Sequence, residues 1–447
     1  MIKRRVMKYF IVLLLSLFFL VNTSIAANQA YIPVGQAHAR KTTIAFAPIL
    51  NRSTSTKTKK AADNLTLTIK NDLLFMDLFR FLPSSTFIEK PYQKGILPNQ
   101  FKFSDWNKIG TEFLIKSAIE VNGNNLTFEA HFYDVSKGRQ LIAKKYLSKV
   151  GEAKTIAHTF ANDVVNKLTG LPGIFLTKIA MSCDRSRKKE IYIMDFDGKN
   201  IKRITNHSSI AFSPAWSPNG TKLGYSVYAR HRNNIRNIDF YEFDFVTNTI
   251  NMVSNRKGIN SGANYSPDGK NIALTMSFLG NPELFLLNKE KNTATRLTKS
   301  MGFDVDPSWS PDGKKLAFVT SRSGKPMIYT MNKNGSQTKR LTYAGRYNAT
   351  PSWSPQNNKI AFAGWKTGKF DIFIMNPDGS HIERLTKGQG NNEDPHFSPD
   401  GQFLVFSSNR TGTQNIYVMN IDGTFVKRLT YGMGNCVAPK WSPPPVQ

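Results

Sequence analysis

Few side chains in this sequence have the type and spacing to do chemistry. The seven histidines are scattered, and no two stand at metal-ligand spacing. The chain carries no G-x-S-x-G elbow, no H-E-x-x-H and no P-loop. Its two cysteines, Cys183 and Cys436, are too few for a four-thiolate zinc site or a disulfide-dense scaffold. What stands out is a set of carboxylates, Asp304, Asp306, Glu393 and Asp394, just ahead of Pro-x-aromatic segments on an otherwise basic chain. Such carboxylates meet Lys or Arg of a partner, hold a hard cation such as calcium through oxygen ligands, or cap turns and brace backbone amides. No catalytic residues and no cofactor beyond such a calcium are expected, so the sequence reads as a non-enzyme. Two other readings compete with a protein-binding scaffold: a propeller that binds or hydrolyses envelope glycans or peptides, and a polyanion binder driven by bulk charge.

The elements that position these residues follow from composition and repeats. The chain has 447 residues, 60 Lys+Arg against 31 Asp+Glu, and a net charge of +29 with 40% hydrophobic residues. That is a globular composition, which excludes wholesale disorder. One apolar run, Tyr9 to Val21, follows Lys3, Arg4, Arg5 and Lys8 and precedes Ser24-Ile25-Ala26. It predicts a signal peptide over residues 1–26, cleaved after Ala26, and no transmembrane segment in the mature chain. A mature chain outside the cytoplasm, with its lysines spread around a ring, argues against nucleic acid as a partner.

A repeat fills the C-terminal two-thirds. Pro307-Ser308-Trp309-Ser310-Pro311-Asp312-Gly313 has counterparts whose aromatic residues are 216, 265, 309, 353, 397 and 441, at steps of 49, 44, 44, 44 and 44. Ile-Tyr-type pairs, as at Ile328-Tyr329, keep pace, as does Arg-Leu-Thr, as at Arg340-Leu341-Thr342. Each unit reads as four short strands with Asp-Gly or Asn-Gly hairpins, the pattern of a β-propeller blade. The region opens on a second-type strand (Lys178 to Ser182) and closes on a first-type strand (Ala438 to Ser442). The last strand must therefore complete the first of six blades, which removes open edges. The tryptophans are expected in the core and the Arg of each Arg-Leu-Thr on the outer edges.

Cys183 falls in the repeat slot of Thr320, and Cys436 in that of Asp304. Those slots face each other across neighbouring antiparallel strands, which predicts a Cys183–Cys436 bridge closing the ring. The alternative is two buried free thiols.

Residues 41–170 lack the repeat and read as a small α/β domain. Strands are expected at 42–50, 113–121, 126–133 and 140–146, and helices at 61–81, 105–109 and 152–168. The expected divisions are a signal peptide (1–26), a tail (27–40), the α/β domain (41–170) and the six-bladed propeller (174–443).

A signal peptide, a small α/β domain and a six-bladed propeller of PxWSPDG-type repeats together resemble the TolB family, the periplasmic component of the Tol–Pal system. The strand Ile44-Ala45-Phe46-Ala47-Pro48-Ile49 resembles the start of the mature family chains. The resemblance implies a non-enzymatic scaffold in the periplasm, working as a monomer, that supports outer-membrane invagination at division and is exploited by colicins. It implies that the tail binds the C-terminal domain of TolA through Asn28, Gln29, Ala30, Tyr31, Ile32 and Val34. It implies that one propeller mouth binds the lipoprotein Pal. The positions carried over to that mouth are Asn260 (where family members often have histidine), Ala263, Asp304, Val305, Asp306, Asn348, Thr350, Glu393 and Asp394.

Overall fold

The computed structural model describes residues 40–53, 55–88, 95–231, 235–356 and 358–445. The expected signal peptide and the tail residues expected to bind TolA lie outside the described residues.

The N-terminal unit is a sheet covered by two helices. In chain order it runs β1 (Thr42–Phe46), β2 (Leu50–Asn51), α1 (Thr56–Phe75), β3 (Phe79–Phe81), α2 (Phe103–Lys108), β4 (Phe113–Asn122), β5 (Asn125–Asp134), β6 (Arg139–Lys149) and α3 (Ala153–Thr169). The sheet order is β3-β1-β4-β5-β6, with β2 also on β4. Every residue of β1 is buried, and β1 lies parallel to both neighbours. Several boundaries differ from the sequence expectation, and three have a plain local cause. The first strand ends at Phe46 and resumes as β2, with Pro48, which has no N–H for the ladder, between the two. Helix α1 begins five residues early because Ser55 caps it, its hydroxyl accepting from Thr58 N at 3.1 Å. It ends at Phe75, and Asp77 then takes φ 57° and turns the chain into β3. The apolar period runs on through Phe79, but Phe79 reaches the core from a strand.

Among the described residues the C-terminal region forms six four-stranded sheets. The inner strands are Ala211–Trp216, Asn260–Tyr265, Asp304–Trp309, Asn348–Trp353, Asn392–Phe397 and Cys436–Trp441. The last of these pairs with Lys178–Cys183, so the C-terminal strand completes blade 1 and the ring is closed. Cys436 stands directly opposite Cys183, with Cα atoms 4.2 Å apart, and the two are joined by a disulfide. Blades are stitched near the axis. The fifth residue of one inner strand accepts from the aromatic N–H of the next: Trp309 N to Asn264 Oδ1 (2.9 Å), Trp353 N to Ser308 Oγ (3.0 Å) and Trp441 N to His396 Nδ1 (3.2 Å).

The α/β unit is fused to blades 1 and 6 through one continuous apolar core. Phe75 at the end of α1 meets the rings of Phe196, Phe403 and Phe425 at 5.1, 5.2 and 6.1 Å. Beside them His158 Nδ1 lies 2.6 Å from Asp72 Oδ2, both buried. Burial raises the Asp72 carboxyl above its usual range, and the bond to His158 pulls against that shift.

Candidate binding mouth of the propeller

Each inner strand opens with three residues and then kinks. The third residue of every one is left-handed: Ser213, Gly262, Asp306, Thr350, Asp394 and Ala438, with φ of 49°, 63°, 54°, 47°, 56° and 51°. All six ladders to the second strand shift register at that point. A proline follows in five of the six strands, which bars the right-handed helical alternative. Five of these residues carry a side chain, each held left-handed at a cost of about 1 kcal/mol, and the β-branched Thr350 is the most unusual among them. These bulges aim the third side chains at the axis and at the next blade. A Cβ on Gly262 would stand 3.2 Å from Asp306 Oδ1. Asp394 Oδ2 accepts from Ala438 N of the neighbouring blade at 3.1 Å and from Ser407 Oγ at 3.2 Å.

The ring opens into a cavity of about 620 Å³ floored by Asp306, Thr350, Glu393 and Asp394. Its wall is aromatic: Tyr347 and Trp365 pack on Phe370 with centroids 5.6 and 4.9 Å apart. Thr350 Oγ1 is buried without a hydrogen-bond partner. The charges balance one another. Burial pushes Asp306 up to about 6; Lys440 opposes that shift and Asp394 adds to it. Burial, with Asp394 adding, pushes Glu393 up to about 7. Lys440 is held below the usual lysine range by burial, against the pull of Asp394 and Asp306. His396 is pushed down to about 3 by burial, with Lys440 adding, so it stays neutral and accepts from Trp441. Among the described residues no group of three or more His, Cys, Asp or Glu side chains is arranged to hold a metal ion. Two of the protein's own cations act here: Lys440 attracts Asp306 and Asp394, and Arg346 lines the cavity beside them.

The nine positions carried over from sequence divide in two. Asp306, Thr350, Glu393 and Asp394 line the cavity together. Asp304 is fully buried, with Arg322 Nη2 at 3.1 Å and Ser300 Oγ at 3.0 Å. Asn260 is fully buried and bonds Ser254, Ile238 O and Arg256 O. Asn348 is buried on Ala344 O and the Met327 sulfur, and Ala263 sits in the core of blade 3. Val305 packs at the edge of the next blade's core. The sequence reading treats the whole stretch as a loop. In the structure it is the head of a strand, and the bulge sends the first and third residues to different surroundings.

Sequence reasoning missed the aromatic wall, Lys440 and a recurring latch. The five Arg of Arg-Leu-Thr stand on the outermost strands, as expected, but four of them also reach back to a buried acceptor on the third strand. Arg203 pairs with Glu190 at 3.1 Å, Arg428 donates to Asn415 Oδ1 at 2.9 Å, and Arg296 and Arg384 pair with the buried Glu283 and Asp371. The partner lies 13 residues upstream each time, a spacing that recurs in the sequence of the repeats. The Thr two places on accepts a backbone N–H of the third strand, as Thr342 Oγ1 does from Ile328 N at 2.9 Å.

Comparison with known proteins places this architecture. The family described as the TolB beta propeller domain matches residues 165–364 and 347–445, and the TolB amino-terminal domain matches residues 30–141. The chain belongs to the TolB family. It is 36% identical over 276 residues to the Tol-Pal system protein TolB of Desulfosudis oleivorans, covering 62% of this chain and 61% of that one. It is 41% identical over 129 residues to the Tol-Pal system protein TolB of Geobacter sulfurreducens, covering 29% of this chain and 30% of the relative. These matches thus span less than two thirds of either relative's length. The crystal structure of TolB from Acinetobacter baumannii superposes with a TM-score of 0.77 at 25% identity, covering 92% of this chain and 99% of that one. Among the described residues no helix is long and apolar enough to cross a membrane.

Proposed function

We propose that this chain is a non-enzymatic periplasmic scaffold of the Tol–Pal system. Its propeller mouth docks the lipoprotein Pal, and residues 27–40 engage the C-terminal domain of TolA, so that the protein links two membranes and supports outer-membrane invagination at division. The observation that carries the reading is the walled cavity at one end of the closed ring, in a chain whose two units both match TolB families. Preorganised left-handed backbone at six symmetric positions, strained at the five that carry a side chain, is the kind of feature found where a surface must keep its shape for a partner. A calcium ion among the mouth carboxylates is the weaker proposal, because Lys440 already faces them.

The test is binding of the full chain, of a chain lacking residues 27–35, and of Glu393→Trp, each to the soluble domains of TolA and Pal separately. The deletion should lose TolA and keep Pal; the tryptophan should block the cavity, lose Pal and keep TolA. Loss of neither partner by either variant would refute the scaffold reading.

A further inference from the structure

The two ends of the propeller differ in charge. In each blade the head of the inner strand pairs with the tail of the second strand, as Asp304 does with Thr320 and Asn392 with Ser408. The turns between second and third strands and the loops between blades therefore lie at the mouth. In the sequence these connections contain a single acid, Asp184, and it is bonded to Asn435. They are rich in exposed bases: Arg187 and Lys188 in blade 1, Lys257 between blades 2 and 3, Lys325 in blade 4, and Lys366 and Lys369 flanking the turn of blade 5. At the opposite end acids and lysines in the connections are equal in number and share turns. Lys199 pairs with Asp197 at 2.8 Å, Lys270 follows Asp268, and Lys314 follows Asp312. The cavity does not offset the basic rim, because Lys440 faces Asp306 and Asp394, and Arg346 lines the same wall.

We infer that the mouth captures its partner through an acidic protein surface, whose carboxylates meet the basic rim while an apolar knob enters the cavity against Tyr347, Trp365 and Phe370. This rests on the reading of the mouth as the docking face and runs against one of the three sequence readings of the mouth carboxylates, that they meet Lys or Arg of a partner. A folded protein fits better than an anionic polymer, because the charges encircle a walled cavity and form no continuous track. Charges so placed steer encounter over about a Debye length, roughly 8 Å at physiological salt, and act mainly on the association rate.

The experiment measures association of the full chain with the soluble domain of Pal from the same organism. Lys366→Glu/Lys369→Glu reverses the rim, and Lys270→Glu/Lys314→Glu reverses the opposite face as control. In about 50 mM salt the rim pair should associate about tenfold more slowly, and the control should match the parent. The difference should vanish near 1 M salt, where the Debye length is about 3 Å. Equal rates for the rim pair and parent, or equal slowing in the control, would overturn the inference. Glu393→Trp separates the two layers. If it blocks Pal while the rim pair is unaffected, only the charge inference falls; if it leaves Pal binding intact, the docking-face reading falls with it. Loss of heparin retention by the rim pair, without slower Pal association, would assign the rim to polyanions and also overturn it.

Discussion

Arg384 and Asp371 offer a measure of what holds each blade shut. Asp371 is fully buried and accepts from Arg384, from Thr386 Oγ1 (2.8 Å), from Asn392 Nδ2 (3.1 Å) and from Gly388 N (3.3 Å). Arg384→Ala leaves that carboxylate buried without its counter-ion. Breaking a buried pair in this way costs about 3–5 kcal/mol, and the three surviving donors place blade 5 near the lower end. Asp371→Met removes the charge instead. Blade 4 already has an uncharged residue in that slot: Met327 receives Asn348 and Thr342 at its sulfur, and Arg340 donates to Thr342 O at 2.7 Å, as Arg384 does to Thr386 O, though Lys387 stands where blade 4 has Tyr343 under its Arg. Its cost should be about 1 kcal/mol, that of a few neutral hydrogen bonds weakened. Native-state amide exchange at Ile372 and Leu385, which tie the third strand to the outer one, reads the opening of this blade. Arg384→Ala should speed exchange there about a hundredfold, and Asp371→Met about fivefold to tenfold, at roughly 1.4 kcal/mol per decade. Equal effects, or a larger one for Asp371→Met, would refute the argument that the unpaired buried charge dominates.

Three further outcomes follow from the same structure. Glu393 and Asp306 have folded pKa values raised to about 7 and about 6, so they bind more protons folded than unfolded and their contribution to stability falls as pH rises through those values. His396, pushed down to about 3, works the other way as pH falls below the usual histidine value. Glu393→Gln should therefore raise the unfolding midpoint at pH 8 and leave it nearly unchanged at pH 4.5; equal gains at both would contradict the assignment. Reducing Cys183–Cys436, which closes a loop of 253 residues, should cost roughly 5 kcal/mol and be visible as a lower thermal midpoint with reductant. Phe75→Ala should cost about 3–5 kcal/mol and loosen the α/β unit from blades 1 and 6, read as faster proteolysis in residues 170–173; an unchanged cleavage rate would show that the ring cluster does not hold the units together.

The number of blades, their phase and the opposition of Cys183 and Cys436 were all in the sequence, because a 44-residue repeat aligns slots linearly and antiparallel pairing converts slots into neighbours. The N-terminal elements were also readable in kind, though not the handover from α1 to β3, because Phe79 keeps the helical period while serving a strand. What only the tertiary structure decided is which mouth residues line the cavity. Asp304 and Asp306 look alike in sequence, yet one is sealed against Arg322 and the other opens on the axis, because a left-handed bulge between them breaks the two-residue alternation of the strand. Charge followed the same rule: composition supplied the excess of bases, but the pairing register sorted them to one end of the ring, and Lys440 met the carboxylates of other blades only after closure brought distant chain together.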